Sequence, residues 1–172
     1  MASTVFELNP VNHITTGFIG QPGKRVFYLQ ASQGPQVVTL VVEKMQVEAL
    51  SQGLDEFVKD LAEKFPDLPA ADTSYRAEQM KLRVPLDPAF RVGQMGLGYD
   101  QERDLVVLVA QEVTTENREA EEAGVARLFA TRAQMLALAE HGREIIQKGR
   151  PTCPFCGQPI DPESHFCPRR NG

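Results

Sequence analysis

The fold is decided within residues 37–65, which have the sequence VVTLVVEKMQVEALSQGLDEFVKDLAEKF. The first six residues are apolar or β-branched, as is typical of a buried strand. From Val47 onward the apolar residues recur at spacings of three and four, which predicts an amphipathic helix. Pro66 cannot continue a helix, so the helix should end just before it. A strand followed directly by a helix is therefore predicted.

Two more strands are predicted upstream, at residues 13–19 and 25–31, which are rich in β-branched and aromatic side chains. The sequence GQPG at residues 20–23 predicts the hairpin turn between them. After the helix, residues 66–72 contain two prolines and show no periodicity, which is typical of a connecting loop. The first part of the chain is thus expected to form three strands and a helix.

The same order of elements is predicted further along the chain. Four stretches have the composition of strands: residues 80–84, 90–95, 105–110 and 125–130. Charged residues at 100–104 mark a turn. Thr131 is a predicted N-cap, with Gln134 three residues later as its partner in a capping box. The apolar residues that follow have helical spacing up to about Lys148.

A similarity between the two helices suggests an internal repeat. QVEAL at residues 46–50 matches QMLAL at residues 134–138 with an offset of 88 residues, and each follows a short apolar strand. A duplicated βββα unit explains this match, and chance similarity among common helix residues is the alternative. The expected fold class is α+β, with a mostly antiparallel sheet, two principal helices, a tandem βββα pseudo-repeat and a zinc-knuckle-like C-terminal tail.

A chain of 172 residues accommodates one domain and a short appendage. The predicted boundaries are residues 1–149 for the α+β domain, with halves at 1–66 and 79–149, and residues 150–172 for the tail. The sequence shows neither a secretory signal nor an apolar run long enough to span a membrane, so a cytoplasmic protein is expected. The net charge of -5 disfavours broad capture of nucleic-acid phosphates.

The tail contains the pattern of a zinc site. Cys153 and Cys156 are separated by two residues, and His165 and Cys167 follow closely. Three thiolates and an imidazole form a complete tetrahedral donor set for Zn²⁺ with no open position for a catalytic water, so the predicted site is structural. Two alternatives are a redox pair of Cys153 and Cys156, and an open site in which Asp161 or water replaces His165.

Two stretches of the sequence point to a protein family. They are GQPGKRVFYLQA at residues 20–31 and the tail at residues 153–172, which has the pattern CPxCGxPxDPxxHxCPRxNG. Together they resemble a bacterial family known only as domain of unknown function 3090. The resemblance extends over nearly the whole chain and implies a cytoplasmic bacterial protein. It implies no activity, substrate or catalytic residue.

The favoured function is a non-catalytic adaptor or regulatory binding protein, because the sequence shows no grouping of nucleophile, base and open metal site. A protein partner of unknown identity is expected. The first alternative is an enzyme acting on a phosphorylated or nucleotide-like substrate in a cleft between the two halves. Polar residues that could converge there are His13, Lys24, Arg25, Tyr28, Arg91 and Tyr99.

Two smaller surfaces are also considered. Lys24, Arg25 and Tyr28 are a candidate anion or ligand contact at the first hairpin, although charges at a hairpin edge also guard against aggregation. Nucleic-acid binding through the tail is the second alternative for function, and the acidic body of the protein opposes it. Its candidate recognition residues, which could stack on bases or pair with phosphates, are Phe155, Phe166, Arg169 and Arg170.

Overall fold

The computed structural model describes residues 4–21, 23–72, 74–114 and 122–148. The elements in these ranges are β1 (Val5–Leu8), β2 (His13–Ile19), β3 (Val26–Gln33), β4 (Gln36–Val42), α1 (Lys44–Lys64), β5 (Pro88–Asp100), β6 (Leu105–Glu112), β7 (Val125–Ala130) and α2 (Arg132–Lys148). Residues 65–87, which join α1 to β5, are called the connecting segment. They include a short 3₁₀ helix, Ala77–Gln79.

The strands form one mixed sheet in the order β1-β7-β6-β5-β4-β3-β2. β2, β3 and β4 form one antiparallel meander, and β5, β6 and β7 form another. The meanders are joined by the parallel pair β4–β5, and β1 lies parallel to β7. The prediction of a mostly antiparallel sheet was therefore wrong. The reason is that α1 and the connecting segment return the chain to the end of the sheet where β4 began, so β5 runs beside β4 in the same direction.

The two ends of this strand order are joined by consecutive residues. β1 pairs with β7, and beyond it the Val11 N–H donates to the Phe129 carbonyl oxygen at 2.8 Å. The next residue, Asn12, donates its N–H to the Ser32 carbonyl oxygen of β3 at 2.7 Å. The linker between β1 and β2 therefore holds the two ends of the strand order close together, and the buried face of the sheet and the two helices enclose one hydrophobic core.

Most predicted elements are confirmed. The strands at residues 13–19 and 125–130 have the predicted bounds, and each long helix follows its strand as expected. The strand predicted at residues 80–84 was wrong, because the N–H and carbonyl of Arg83 bond to the side-chain amide of Gln30, at 2.7 and 3.1 Å, instead of to a neighbouring strand. β1 was not predicted, because four residues are too few to show a period.

Both long helices begin with a capping box. In α1, the Glu43 N–H donates to Gln46 Oε1 at 2.8 Å, and the Glu43 side chain accepts a backbone N–H in return. In α2, the Thr131 N–H donates to Gln134 Oε1 at 2.8 Å, and the Gln134 N–H donates to Thr131 Oγ1 at 3.0 Å. These bonds satisfy backbone donors that have no partner within the first helical turn. The predicted cap at Thr131 is confirmed.

Leucine is the commonest residue type in the core, over which α1 and α2 pack against each other. Burial of each leucine contributes roughly 2 kcal/mol. The helices approach closely at Gly142, where an added Cβ would clash with Ser51 Oγ and lie 3.3 Å from Val47 Cγ1. Within the described ranges, no helix is both long and apolar enough to cross a membrane. The most deeply buried leucines are Leu8, Leu29, Leu40, Leu54, Leu108, Leu128 and Leu138.

Candidate binding groove

A cavity of about 440 Å³ lies between α1 and β5. This volume falls in the range of about 300–1,000 Å³ that is usual for ligand pockets. Leu108 of β6 borders the cavity and is fully buried, so the cavity opens above the hydrophobic core. Its walls include Gln46, Ala49 and Gly53 of α1 and Gly93, Met95 and Leu97 of β5.

The cavity exists because small residues of α1 face large apolar residues of β5. Ala49 and Gly53 are one helical turn apart and therefore lie on the same face of α1. A Cβ added to Gly53 would have Leu97 Cδ1, at 4.0 Å, as its nearest neighbour. Leu97 pairs with the buried Leu108, so Leu97 and Met95 point toward the core side of the sheet. Both side chains remain partly exposed because no bulky residue of α1 covers them.

A second cavity, of about 360 Å³, lies further along α1, between its C-terminal part and the end of β5. Phe57, Phe65 and Tyr99 line it, and the rings of Phe65 and Tyr99 have centroids 5.7 Å apart. The exposed side chains of Asp60 and Lys64 form its charged rim. The two cavities together are called the α1/β5 groove. Covering partly exposed apolar side chains is favourable, so this groove suits an apolar ligand.

Gln46 stands at one end of the α1/β5 groove and makes structural hydrogen bonds there. Its Oε1 accepts the Glu43 N–H, and its Nε2 donates to the carbonyl oxygens of Val92 at 3.0 Å and Gly93 at 3.4 Å. The side chain thereby joins the start of α1 to β5. Because its polar atoms are engaged by backbone groups, this end of the groove offers a ligand mainly apolar surface.

Tyr99 is held at the other end of the groove by an ion pair. Its hydroxyl donates to Asp104 Oδ1 at 2.7 Å, and Arg132 donates to both Asp104 oxygens at 2.9 Å. Arg132 is only 7% exposed and also donates to the Pro69 carbonyl oxygen at 2.9 Å. The hydrogen bond from Arg132 lowers the pKa of Asp104. Burial and the hydrogen bond to Asp104 raise the pKa of Tyr99 to about 12, so its hydroxyl is neutral and fixed in orientation.

The connecting segment covers the surface at which α2 meets β2. α2 packs directly against β2, and Met80 is buried beside them. Nε2 of His13 lies 2.6 Å from the Gln79 carbonyl oxygen, and the Thr15 hydroxyl donates to the Met80 carbonyl oxygen at 2.6 Å. The cavity that remains has a volume of only about 200 Å³. The connecting segment therefore fills a space beside α2, whereas none of the described residues fills the corresponding space beside α1.

Charged side chains gather where α1 and α2 pack together. Arg143 of α2 donates to Asp55 of α1 and, at 2.6 Å, to Glu140. Cavities of about 370 and 420 Å³ border the Arg143–Asp55 pair. Carboxylates outnumber the single guanidinium here, so this surface is unsuited to phosphate groups. The helix-interface cluster is defined as Asp55, Tyr75, Glu140, His141, Arg143 and Glu144.

Tyr75 fastens the connecting segment to α2. Its hydroxyl donates to a carboxylate oxygen of Glu144 and lies 2.7 Å from Nδ1 of His141. The Tyr75 and His141 ring centroids are 6.0 Å apart. Burial and the hydrogen bond to Glu144 raise the pKa of Tyr75 well above its usual range. The hydroxyl therefore stays protonated and can keep donating to Glu144 across the physiological pH range.

The residues of the predicted anion contact at the first hairpin do not all lie on the same side of the sheet. The Arg25 guanidinium carbon lies 4.9 Å from the centre of the Phe18 ring. Tyr28 pairs with Gly17, the neighbour of Phe18, and neighbouring strand residues face opposite sides of a sheet. Arg25 and Tyr28 therefore lie on opposite faces, while Lys24 is exposed near the turn. The anion contact stays a prediction.

The other residues considered for an enzyme take part in separate interactions. His13 contacts the connecting segment through the Gln79 carbonyl oxygen. Arg91 donates to Glu43 at 2.6 Å on the protein surface. Tyr99 bonds to Asp104 at the end of β5. These side chains stabilise three different parts of the fold, and the structure does not bring them into one group.

The predicted tail sites lie outside the described residues. These are the zinc ligands Cys153, Cys156, His165 and Cys167 and the recognition residues Phe155, Phe166, Arg169 and Arg170. Among the described residues, no group of three or more His, Cys, Asp or Glu side chains could hold a metal ion. The zinc site and the tail surface therefore stay predictions.

The α1/β5 groove was not predicted from the sequence, although two signals were present. Gly53 interrupts a helical stretch in which alanine would be the better helix former, and Ala49 precedes it by one turn. In β5, Met95, Leu97 and Tyr99 alternate with glycines. In both patterns, small residues leave space that larger side chains would otherwise fill. Which strand faces the small side of the helix, however, is set by the tertiary structure.

The fold defines an α+β protein in which a seven-stranded mixed sheet and two packed helices border an apolar groove. The chain matches the family described as "Protein of unknown function (DUF3090)" over residues 6–167. It therefore belongs to this family, and the resemblance seen in the sequence is confirmed. Comparisons with curated proteins and with solved structures each give no match.

Proposed function

We propose that this protein is a non-catalytic adaptor or regulatory binding protein whose α1/β5 groove receives an apolar segment of a protein partner. The supporting observation is the row of partly exposed apolar side chains in the groove, which comprises Phe57, Phe65, Met95, Leu97 and Tyr99. Exposed apolar surface of this kind is typical of interaction sites. Aromatic residues and methionine are also enriched in protein interfaces.

The length of the α1/β5 groove favours a peptide as the occupant. The helix rises about 28 Å between Gln46 and Phe65, at about 1.5 Å per residue. An extended peptide of about eight residues covers this distance and places alternate side chains on one side. Two large apolar side chains of such a peptide would enter the two cavities, and main-chain groups would remain at the open top of the groove.

The enzyme alternative has less support from the electrostatics of the described residues. A phosphorylated substrate would meet Asp55, Glu140 and Glu144 in the helix-interface cluster, and the α1/β5 groove offers it mainly apolar surface. The alternative would be favoured by a phosphate ester that binds the purified protein and loses its affinity in Lys24→Ala and Arg25→Ala variants. If neither substitution changes the affinity for the phosphate ester, Lys24 and Arg25 are excluded as its contact.

The proposal includes a structural zinc ion held by Cys153, Cys156, His165 and Cys167. Its support is the chemistry of the donors, because three thiolates and one imidazole are the borderline-soft set that zinc prefers and together complete a tetrahedron. The apparent binding free energy of such a site is on the order of 10 kcal/mol, which is enough to fold a short tail. The zinc ion would then hold the tail in one defined conformation.

We also propose that the two units β2–β3–β4–α1 and β5–β6–β7–α2 are a tandem repeat. Support comes from the topology, because each unit is an antiparallel meander of three strands followed by a long helix. The matching capping boxes of α1 and α2 add to this support. A cytoplasmic location is proposed as well, since three cysteines within residues 153–167 suit thiolate chemistry in a reducing compartment.

The proposed function is tested by affinity purification from the native host with three versions of the full-length protein. Gly53→Leu fills the α1/β5 groove, whereas Gly53→Ala adds one methyl group that the groove accommodates. We expect a partner that is recovered with the wild type and with Gly53→Ala but lost with Gly53→Leu. Circular dichroism and thermal unfolding establish that all three proteins are folded. Identical recovery with all three would show that no partner uses the groove.

The nucleic-acid alternative has its own test. If Arg169 and Arg170 bind phosphates, the affinity for single-stranded DNA or RNA should fall steeply with added salt. It should also be lost in an Arg169→Ala/Arg170→Ala variant. Binding that is absent, or that does not depend on salt, would remove this alternative.

A further inference from the structure

We infer that the α1/β5 groove is the docking site of the chain's own C-terminal segment, residues 149–172. The inference rests on the proposed role of the groove as a recognition surface and names the occupant that the chain itself supplies. These residues lie outside the described part of the chain. The support for their placement comes from the connecting segment, from the position at which α2 ends, and from the composition of the segment.

The connecting segment shows how the chain that follows one helix covers the space beside the other. It follows α1, yet it lies over α2 and β2, where Met80 is buried and Tyr75 bonds to Glu144. Residues 149–172 follow α2 in the same way. In a tandem repeat they would lie over α1 and β5, and this is where the groove is open.

The two spaces have matching walls. Gln46 and Ala49 border the α1/β5 groove, while Gln134 and Ala137 border the cavity beneath the connecting segment. Gln46 and Gln134 are both the third residue of their helix and have the same capping role. The main cavity of the groove has about 440 Å³, against about 200 Å³ under the connecting segment. A covering segment of chain accounts for a difference of this kind.

α2 ends close to the α1/β5 groove. Its last turn lines a cavity together with Glu48 and Gln52 of α1. Each of these precedes a residue of the groove, Ala49 or Gly53, by one position. An extended chain covers about 3.3 Å per residue. A few residues after Lys148 are therefore enough to reach the groove, and the remaining residues are enough to span it.

The side chains of residues 149–172 suit the surface that they would cover. Phe155 and Phe166 are large apolar residues, one for each of the two apolar cavities. Burial of these apolar side chains favours this arrangement.

The test uses full-length, zinc-loaded protein in which the methionine methyl groups are labelled with ¹³C. Met95 reports on the groove, and Met45, whose side chain on α1 is 78% exposed, is the internal control. We expect a nuclear Overhauser effect from the Met95 methyl group to aromatic protons of the tail, and none from Met45. This signal should be lost in Phe155→Ala/Phe166→Ala and in Gly53→Leu, and it should persist in Gly53→Ala.

Two results would overturn the inference. One is a Met95 spectrum that is the same in the wild type and in Phe155→Ala/Phe166→Ala. The other is a tail contact seen only between labelled and unlabelled copies in a mixed sample, because the occupant would then be a second copy of the chain. If a partner binds in a manner that depends on Gly53 and no tail contact is seen, the proposed function stands and the inference fails. If the tail contact is seen and no such partner is found, the inference stands and the proposed function fails.

Discussion

Gln46 and Gln134 make the same two kinds of hydrogen bond at the starts of the two helices. Each side-chain oxygen accepts the N–H of its N-cap residue at 2.8 Å. Each side-chain amide also reaches the other unit, since Gln46 donates to Val92 of β5 and Gln134 donates to Val11 and Asn12 just before β2. The two units are therefore tied together in both directions by the residues that cap their helices.

Replacing either glutamine by alanine should lower the free energy of unfolding by about 1–2 kcal/mol. A lost cap costs about 1 kcal/mol, and each variant also loses a bond to the neighbouring unit. Urea unfolding of Gln46→Ala and Gln134→Ala measures this change. The matched control is Gln147→Ala on the exposed last turn of α2, which should change the free energy by less than about 0.5 kcal/mol. Equal effects of all three substitutions would contradict the assigned roles.

Alanine at Gly53 should stabilise the protein, by about 0.5–1 kcal/mol. Alanine has a lower entropic cost of helix formation than glycine. The added methyl group would meet only Leu97 Cδ1, at 4.0 Å. Chemical unfolding of Gly53→Ala and of the wild type measures the difference. A loss of stability would mean that α1 lies closer to β5 than the structure shows.

Alanine at Gly142 should have the opposite effect, although this glycine is also within a helix. Its added Cβ would clash with Ser51 Oγ and press on Val47 Cγ1 at 3.3 Å. Overpacking of this kind costs about 1–3 kcal/mol, which outweighs the gain in helix propensity. The double variant Ser51→Ala/Gly142→Ala should recover part of the loss, because it removes the clashing oxygen. Absence of any recovery in urea unfolding would show that Ser51 is not the obstacle.

Removing the charge of Asp104 should destabilise the protein by about 1–3 kcal/mol, which is less than the cost of breaking a fully buried ion pair because 35% of the Asp104 side chain is exposed to solvent. Arg132 would remain almost fully buried without its partner. Asn is the suitable replacement, because Asp104 has a φ of 53° and asparagine tolerates this left-handed conformation. The free energy of unfolding of Asp104→Asn, compared with the wild type near neutral pH, measures the loss.

The contribution of Asp104 should also depend on pH. Its pKa is lower in the folded protein than in the unfolded chain, where an aspartate has a pKa of about 3.9. The unfolded chain therefore takes up the proton first as the pH falls. The stability that Asp104 provides is complete above this unfolded value and decreases as the pH falls through the folded value. The difference between the wild type and Asp104→Asn should shrink over this range, and a constant difference would contradict the ion pair.

Local patterns of the sequence predicted those elements whose structure is set by nearby residues. The Thr131 cap was recognised because threonine is a favoured N-cap with glutamine three residues later. The equivalent cap at Glu43 was missed, because glutamate is not a favoured N-cap residue. The direction of β5 beside β4 depends on the path of α1 and the connecting segment, and no pattern within β5 records it. The groove likewise depends on two distant glycine-containing stretches that meet only in the folded protein.

Tyr75→Phe should loosen the connecting segment over α2. The variant loses the hydrogen bond to Glu144 and the contact with His141 Nδ1. Hydrogen exchange of the backbone around residues 74–80 should become faster, while exchange in β6 stays unchanged. The control is Tyr28→Phe on β3, which removes a hydroxyl group elsewhere in the sheet. Faster exchange in both variants, or in neither, would contradict the role of Tyr75.

The same residue should make the protein sensitive to alkaline pH. The pKa of Tyr75 is raised in the folded protein above the value of about 10 that a tyrosine has in an unfolded chain. The folded state thus keeps this proton when the unfolded state loses it. Stability from Tyr75 is complete below about pH 10 and is lost at higher pH. Unfolding of the wild type should become easier above that pH, and Tyr75→Phe should show a smaller loss.

The zinc content of protein purified without a histidine tag should be about one ion per chain if the four tail ligands form a closed site. Cys156→Ser and His165→Ala should each lose or weaken the ion, because each removes one corner of the tetrahedron. Asp161→Asn is the matched control for His165, since it tests the alternative in which a carboxylate completes the site. Zinc that survives His165→Ala but not Asp161→Asn would assign the fourth position to the carboxylate. Protein without zinc, with Cys153 and Cys156 joined in a disulfide, would instead favour a redox role for the tail.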